Sequence, residues 1–233
     1  MNALGYTKKE IHRITNDSFC DIENFYKQKF INYKGVTVDT REYYNEIVAG
    51  IVHDSWEEFS RIRSITRRTS YWTESHSYQS SGIMTNRIEE RIAIEIFRQR
   101  TFDTCEILDY QTPLKDKRGD NAGKIDLLMY DGIHLYLLEL KRPDSQESML
   151  RCILEGYTYF RIADHKKLLE DFKLPTETLI KPAPLIFEGS YQHGQLFDNR
   201  SNLLRLIDKI EQDIFIVKEY EGIYYIYKYE KEE

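Results

Sequence analysis

A chain of 233 residues with 41% hydrophobic content is long enough to bury a sizeable core, which excludes global disorder. Its net charge of −6 excludes a surface that coats nucleic acid indiscriminately, but leaves room for a local basic groove. Cys20, Cys105 and Cys152 are far apart and form no CxxC pair, which excludes a disulfide framework and a zinc site; no leader-like segment and no run near 18 apolar residues occurs, so a cytoplasmic protein off the membrane is expected.

The first 35 residues place Phe19, Ile22, Phe25, Tyr26, Phe30 and Tyr33 at helical spacing, with Asp17 or Ser18 as cap and Gly35 as stop. A second helix is expected from about Thr40 to Thr66. Its basic end, Arg61, Arg63, Arg67 and Arg68, is either charge at a helix C-terminus or a phosphate-contacting patch. Thr69 to Gly82 (TSYWTESHSYQSSG) has no steady period and reads as a connector. The expected organisation is therefore a mainly helical region over 1–82, serving recognition, oligomerisation or regulation, followed by a core over 83–233.

From Met84 a strong amphipathic helix begins, capped by Thr85 or Asn86. At 3.6 residues per turn, Ile88, Ile92, Ile96, Ala93 and Phe97 share one arc, and Glu89 falls in its middle. A carboxylate aimed at a core needs a partner, either an arginine or the rim of a site. Glu90 lies at the edge of the arc and is the alternative if the helix is rotated. Cys105–Leu114 reads as two short strands broken at Pro113, and the polar loop KDKRGDNAG follows.

Asp131-Gly132 between two apolar runs then signals a tight hairpin. A two-residue turn there pairs Tyr130 with Ile133, Leu128 with Leu135, Asp126 with Leu137 and Lys124 with Glu139. Lys124, Asp126, Glu139 and Lys141 then share one face, with Asp126 and Glu139 as diagonal neighbours roughly 7–8 Å apart. Two carboxylates so placed can share one divalent cation. Ile125, Leu127, Met129, Tyr136, Leu138 and Leu140 form the opposite, apolar face. The charges cluster at one end of strands that otherwise read as buried, where α/β sheets carry their sites.

Asp126, twelve intervening residues, then Glu139-Leu140-Lys141 resembles the signature of the PD-(D/E)XK nuclease superfamily. The resemblance covers roughly residues 84–190, with Glu89 matching the acidic residue of the family's first core helix. The sequence departs from the family in having Ile125 before the motif aspartate, Glu155 with Tyr159 where one branch has Gln-x-x-x-Tyr, and no phosphate loop of GxxxxGK type. The resemblance implies an α/β fold with a restriction-endonuclease-like core: a central mixed sheet flanked by helices in the order α-β-β-β-α-β, with the helical region as an N-terminal extension. It implies a Mg²⁺- or Mn²⁺-dependent nuclease, a DNA endonuclease of restriction or anti-phage defence type. Asp126, Glu139 and Lys141 would be catalytic; Glu89, Asp126, Glu139 and the Leu140 carbonyl would hold metal. Lys124, Arg142 and Arg151 would meet the substrate, with Arg151 alternatively balancing the carboxylates and Lys124 pairing with Glu139 when no metal is bound. Double-stranded DNA and a homodimer or higher homo-oligomer are the expected partners. The alternatives are a non-catalytic nucleic-acid or nucleotide-binding module on the same fold, and an interaction protein of a defence system.

Downstream, a helix is expected over about Ser145–Tyr159, and a strand over Leu179–Glu188 with Pro182 and Pro184 pushing its start to a sheet edge. A further amphipathic helix follows over Asn199–Gln212. A last strand pair turns at Glu221-Gly222, either extending the sheet or building a dimer edge. His193, in a Gly-flanked loop, is the other residue weighed as a substrate contact.

Overall fold

The computed structural model describes residues 5–72, 76, 85–114, 123–197 and 200–230. Most of the 69–82 connector and of the KDKRGDNAG loop lies outside the described residues. In chain order the elements are α1 (Lys8–Asp17), two 3-10 segments (Ser18–Lys27 and Lys29–Asn32), α2 (Tyr44–Asp54), α3 (Trp56–Phe59), α4 (Ile88–Gln99), β1 (Thr101–Phe102), β2 (Cys105–Pro113), β3 (Lys124–Tyr130) and β4 (His134–Leu140). Then come α5 (Met149–Ile162), α6 (His165–Asp171), β5 (Leu179–Phe187), α7 (Tyr191–Gly194), α8 (Ser201–Ile210), β6 (Phe215–Tyr220) and β7 (Ile223–Lys228). The result is a mixed α/β fold: a seven-stranded sheet in the order β1 to β7, flanked by helices. Its first four strands are antiparallel, β4, β5 and β6 are parallel, and β7 closes antiparallel on β6.

Each sheet face has its own apolar layer. On one side Ile92, Ala93, Ile96 and Phe97 of α4 pack on Leu127, Met129, Leu138 and Leu140. On the other, α5 and α8 cover Leu128, Leu135, Leu137, Ile186 and Ile216. Ile11, Phe25, Ile31, Val48 and Phe59 of the N-terminal region belong to that same second layer, so the helical region shares its core with the sheet. No helix among the described residues is long and apolar enough to cross a membrane.

Several boundaries differ from the sequence reading. The first α-helix precedes the aromatic run and is started by a capping box, Thr7 with Glu10. The aromatic run itself is 3-10, broken by non-helical backbone at Asp21. Its burial comes from ring packing: Phe19 stacks on Phe25 at 5.2 Å and Phe25 meets Phe59 edge-on at 5.5 Å. The long second helix stops at Asp54 and then Phe59, so the arginine cluster falls beyond it. Arg67 is not a phosphate contact: it is 6% exposed, donates to the Thr69 and Ser70 carbonyls and lies over the Tyr71 ring.

β5 lies between β4 and β6, but its start, before Leu185, pairs only with β4, as its prolines suggest. Lys141 donates its backbone N–H to the Leu185 carbonyl, so odd-numbered residues of β5 turn their polar groups to β4. Pro182 and Pro184 therefore turn theirs to the β6 side, which β6 reaches only from Leu185 onward. The missing N–H groups face a side where no ladder bond is required. The last strand pair extends the sheet, with Glu221 and Gly222 both at positive φ in the turn.

Candidate active site

The site is set by the hairpin of β3 and β4. Its turn is one residue further on than the Asp-Gly signal suggests. Asp131 stays out of the left-handed region, and only Gly132 of the pair takes it, with φ +94°. Asp131 instead uses its side chain, accepting from the N–H groups of Ile133 (2.8 Å) and His134 (2.6 Å). The ladder consequently pairs Tyr130 with Leu135, Leu128 with Leu137 and Leu127 with Leu138, a shift of two residues from the expected register. A shift of two preserves the face of every side chain. The paired stretch ends at Leu127 with Leu138, and Asp126, next along β3, reaches β4 through the Leu140 N–H.

Asp126 is gripped at both oxygens. Gln111 of β2 donates from Nε2 to Oδ1 at 2.7 Å, and the Leu140 amide N–H donates to Oδ2 at 2.9 Å. Leu140 thus meets Asp126 through its N–H, where the sequence reading used its carbonyl toward a metal. Glu139 and Lys141 are 5% and 4% exposed. Lys141 Nζ lies 2.8 Å from Glu139, 2.8 Å from Glu147 and 3.0 Å from Glu155. Glu155 in turn accepts from the Tyr159 hydroxyl (3.0 Å), which contacts the Tyr26 hydroxyl of the N-terminal region.

These groups cannot all hold charge independently. Burial pushes Asp126 up to about 7, against the pull of Lys141 and the Leu140 N–H. Burial and the neighbouring Glu155 raise Glu139 well above the usual carboxylate range. Glu155 is held below that range: burial opposes its charge, but Lys141 and Arg151 outweigh burial. Lys141 stays charged because Glu139 and Glu155 outweigh its own desolvation. The cluster carries a surplus of carboxylate over cation, and its oxygens are hard donors suited to a divalent ion.

A cleft of about 930 Å³ opens over this cluster, lined among others by Glu89, Gln111, Lys124, Asp126, Glu139 and Lys141. The α4 helix and the hairpin therefore meet, and Glu89 shares the cleft with both carboxylates. No group of three or more His, Cys, Asp or Glu among the described residues lies close enough to hold a metal ion unaided. Glu90 is engaged by the Thr85 hydroxyl at 3.0 Å. Lys124 is exposed at the cleft and does not pair with Glu139, because Lys141 takes that carboxylate. Arg142 pairs with Asp144 at 3.2 Å while lining the cleft. Arg151 balances carboxylates, at 3.0 Å from Glu147 and 3.6 Å from Glu155, and donates to the Tyr26 carbonyl.

Gln111, Glu147, Glu155 and the Tyr26–Tyr159 pair are the members that sequence reasoning did not assign. Glu155 and Tyr159 stand one helical turn apart on α5, and that spacing is the signal that could have found them. Nothing in the sequence marks Gln111, which depends on a β-bulge. The loop after Lys141 is clamped by α7 and its flank: Gln192 donates to the Glu147 carbonyl at 2.7 Å and Gln195 accepts from Met149 N–H. His193 serves its own turn, its Nδ1 lying 3.1 Å from Gly189 N. No protein-family model matches the chain, and neither a curated protein nor a solved structure matches it.

Proposed function

We propose that this chain is a metal-dependent nuclease that hydrolyses phosphodiester bonds, most suitably those of DNA. The observation that carries the reading is that Asp126 and Glu139 line one open cleft together with buried, charged Lys141. Two acids kept near neutrality by burial gain most from a cation that restores their charge. Asp126 and Glu139 would hold Mg²⁺ or Mn²⁺, and Glu89, which lines the same cleft from α4, would hold one of its waters. The ion, when bound, would acidify a water and offset charge on the phosphoryl oxygens. Lys141, kept cationic by Glu155, would hold that water's partner oxygen or a non-bridging phosphoryl oxygen by a charge-assisted bond. Lys124 and Arg142 at the cleft supply positive charge for the polynucleotide backbone.

The run α4–β2–β3–β4–α5–β5 supports reading the central part as a restriction-endonuclease-like core, to which β1, β6 and β7 add strands. Cutting both strands of a duplex with one site per chain requires two chains, hence a homodimer or higher oligomer. A second reading is favoured by one observation: each Lys141 donor already has a carboxylate, as in a non-catalytic binding module that has retired its site.

The test is to incubate the protein with plasmid, single-stranded DNA and RNA in Mg²⁺, Mn²⁺ or EDTA, beside Asp126→Asn and Lys141→Ala. Metal-dependent cleavage lost in both variants is the expected result. Binding without cleavage in every metal leaves the binding module as the function.

A further inference from the structure

Among the described residues of the seven strands, Gln111 alone has a positive φ, and it lies at the site. Gln111 is inside β2, flanked by Tyr110, which pairs with Leu127, and Thr112, which pairs with Ile125. Gln111 therefore stands opposite Asp126. Its φ is +47°, a left-handed conformation in which a side chain on Cβ is crowded and which strands do not ordinarily contain. Just upstream the ladder slips: Ile107 pairs with Met129 but Asp109 pairs with Leu128. That is a β-bulge with Leu108 as the extra residue. Continued without the bulge, the upstream register would set Tyr110 opposite Asp126. The bulge replaces that phenol by the carboxamide of Gln111.

The bulge is braced from both sides. Asp109 is 2% exposed, accepts from the Thr112 hydroxyl at 2.9 Å and pairs with His76 Nδ1. Gln111 itself lines the cleft, and its Nε2 donates to Asp126 Oδ1. With the Leu140 N–H on Oδ2, both oxygens of Asp126 are fixed from opposite neighbours. Local strain retained by an over-determined surrounding is a mark of a functional position.

We infer that Gln111 is a positioning residue: the bulge and the left-handed backbone hold its carboxamide on Asp126, so that the carboxylate stays aimed into the cleft for a divalent cation. This inference rests on the metal-dependent reading above. Outer partners that orient a ligating side chain set its affinity for the ion, typically by about 10- to 100-fold.

Two variants of the full chain test it. Gln111→Gly removes the carboxamide and relieves the left-handed backbone. Gln111→Asn tolerates that backbone, and its amide is one methylene too short to reach Asp126. Mn²⁺ binding is measured by calorimetry and Tm is measured in EDTA. Mn²⁺ affinity should fall about 10- to 100-fold in both variants. The metal-free Tm should stay level or, for Gln111→Gly, rise by up to about 3 °C. Loss of ion binding without loss of stability is what a positioning role requires. Unchanged Mn²⁺ affinity in both variants overturns the inference, as does a fall in Tm that accompanies the lost affinity, since Gln111 is then a structural prop. If the wild-type chain binds no Mn²⁺, the metal-dependent reading fails and this inference with it, an outcome read from the wild type alone.

Discussion

Replacing Asp126 by Asn isolates the electrostatic strain of the site. Burial holds the Asp126 carboxyl at about 7 in the folded chain, against about 3.9 in the unfolded one. A carboxyl with a raised folded pKa contributes stability that is complete below the unfolded value and is lost as pH rises through the folded value. For these two values the loss between about pH 5 and pH 8 is about 2–3 kcal/mol. Asn keeps the size of the neutral acid and cannot ionise, so the variant escapes this loss. Urea denaturation of both proteins in EDTA should therefore show the variant gaining on the wild type by about 2–3 kcal/mol across that interval. In thermal melts this corresponds to roughly 5–10 °C for a chain of this size. Groups that titrate alike in both proteins cancel in the difference. Parallel stability curves for the two proteins would refute the reasoning, because Asp126 would then ionise as freely in the fold as outside it.

Lys141→Ala should be the most damaging single change in the cluster at neutral pH, by about 3–5 kcal/mol, because it strands buried carboxylates without their cation. Below about pH 5 the cost should shrink as those acids take up protons; urea midpoints at the two pH values check this. Glu147→Gln should cost about 1 kcal/mol or less, since that carboxylate is a third exposed. By releasing one Lys141 donor it should raise turnover in the plasmid assay, whereas a falling rate would make Glu147 part of the working site. Tyr159→Phe removes the hydroxyl that ties Glu155 to Tyr26 and should cost about 1–2 kcal/mol in a melt. Gly123→Ala should destabilise as well, because a Cβ there would overlap the buried Tyr159 ring.

Much of the candidate site was legible because face is a matter of parity. The wrong turn residue moved the register by two, and from Leu127 to Tyr130 every side chain kept its side of the sheet, whereas Ile125, expected beside Leu127, packs in the other layer. Helical periodicity likewise aimed Glu89 correctly, since the arc of Ile92, Ala93 and Ile96 does pack on the sheet. What periodicity cannot see is a change of conformation that keeps burial intact. The run from Phe19 to Phe30 is buried at helical spacing yet is 3-10, because packed rings hold it. The prolines of β5 correctly mark a start that is paired on one side only. Their missing donors matter only on the side where a neighbour strand exists, which is set by tertiary pairing. Gln111 was illegible because its position depends on one extra residue, Leu108, in the strand next to Asp126.

The N-terminal region has a role in this arrangement that sequence alone could not assign. Asn32 Oδ1 and the Ile31 carbonyl accept from Ser148 N–H and its hydroxyl, at the residue that caps α5. Tyr26 contacts Tyr159, and its carbonyl receives Arg151. The residues that hold Glu155 and Glu147 are therefore themselves held by the segment from Tyr26 to Asn32, and Asn32 lines the cleft. Because Glu139 and Glu155 keep Lys141 charged, displacement of that segment would reach the lysine in three contacts, Tyr26–Tyr159, Tyr159–Glu155 and Glu155–Lys141. A region that packs into the core of the sheet and braces the ion pairs of the site is a wall of that site, joined to Lys141 through Tyr159 and Glu155.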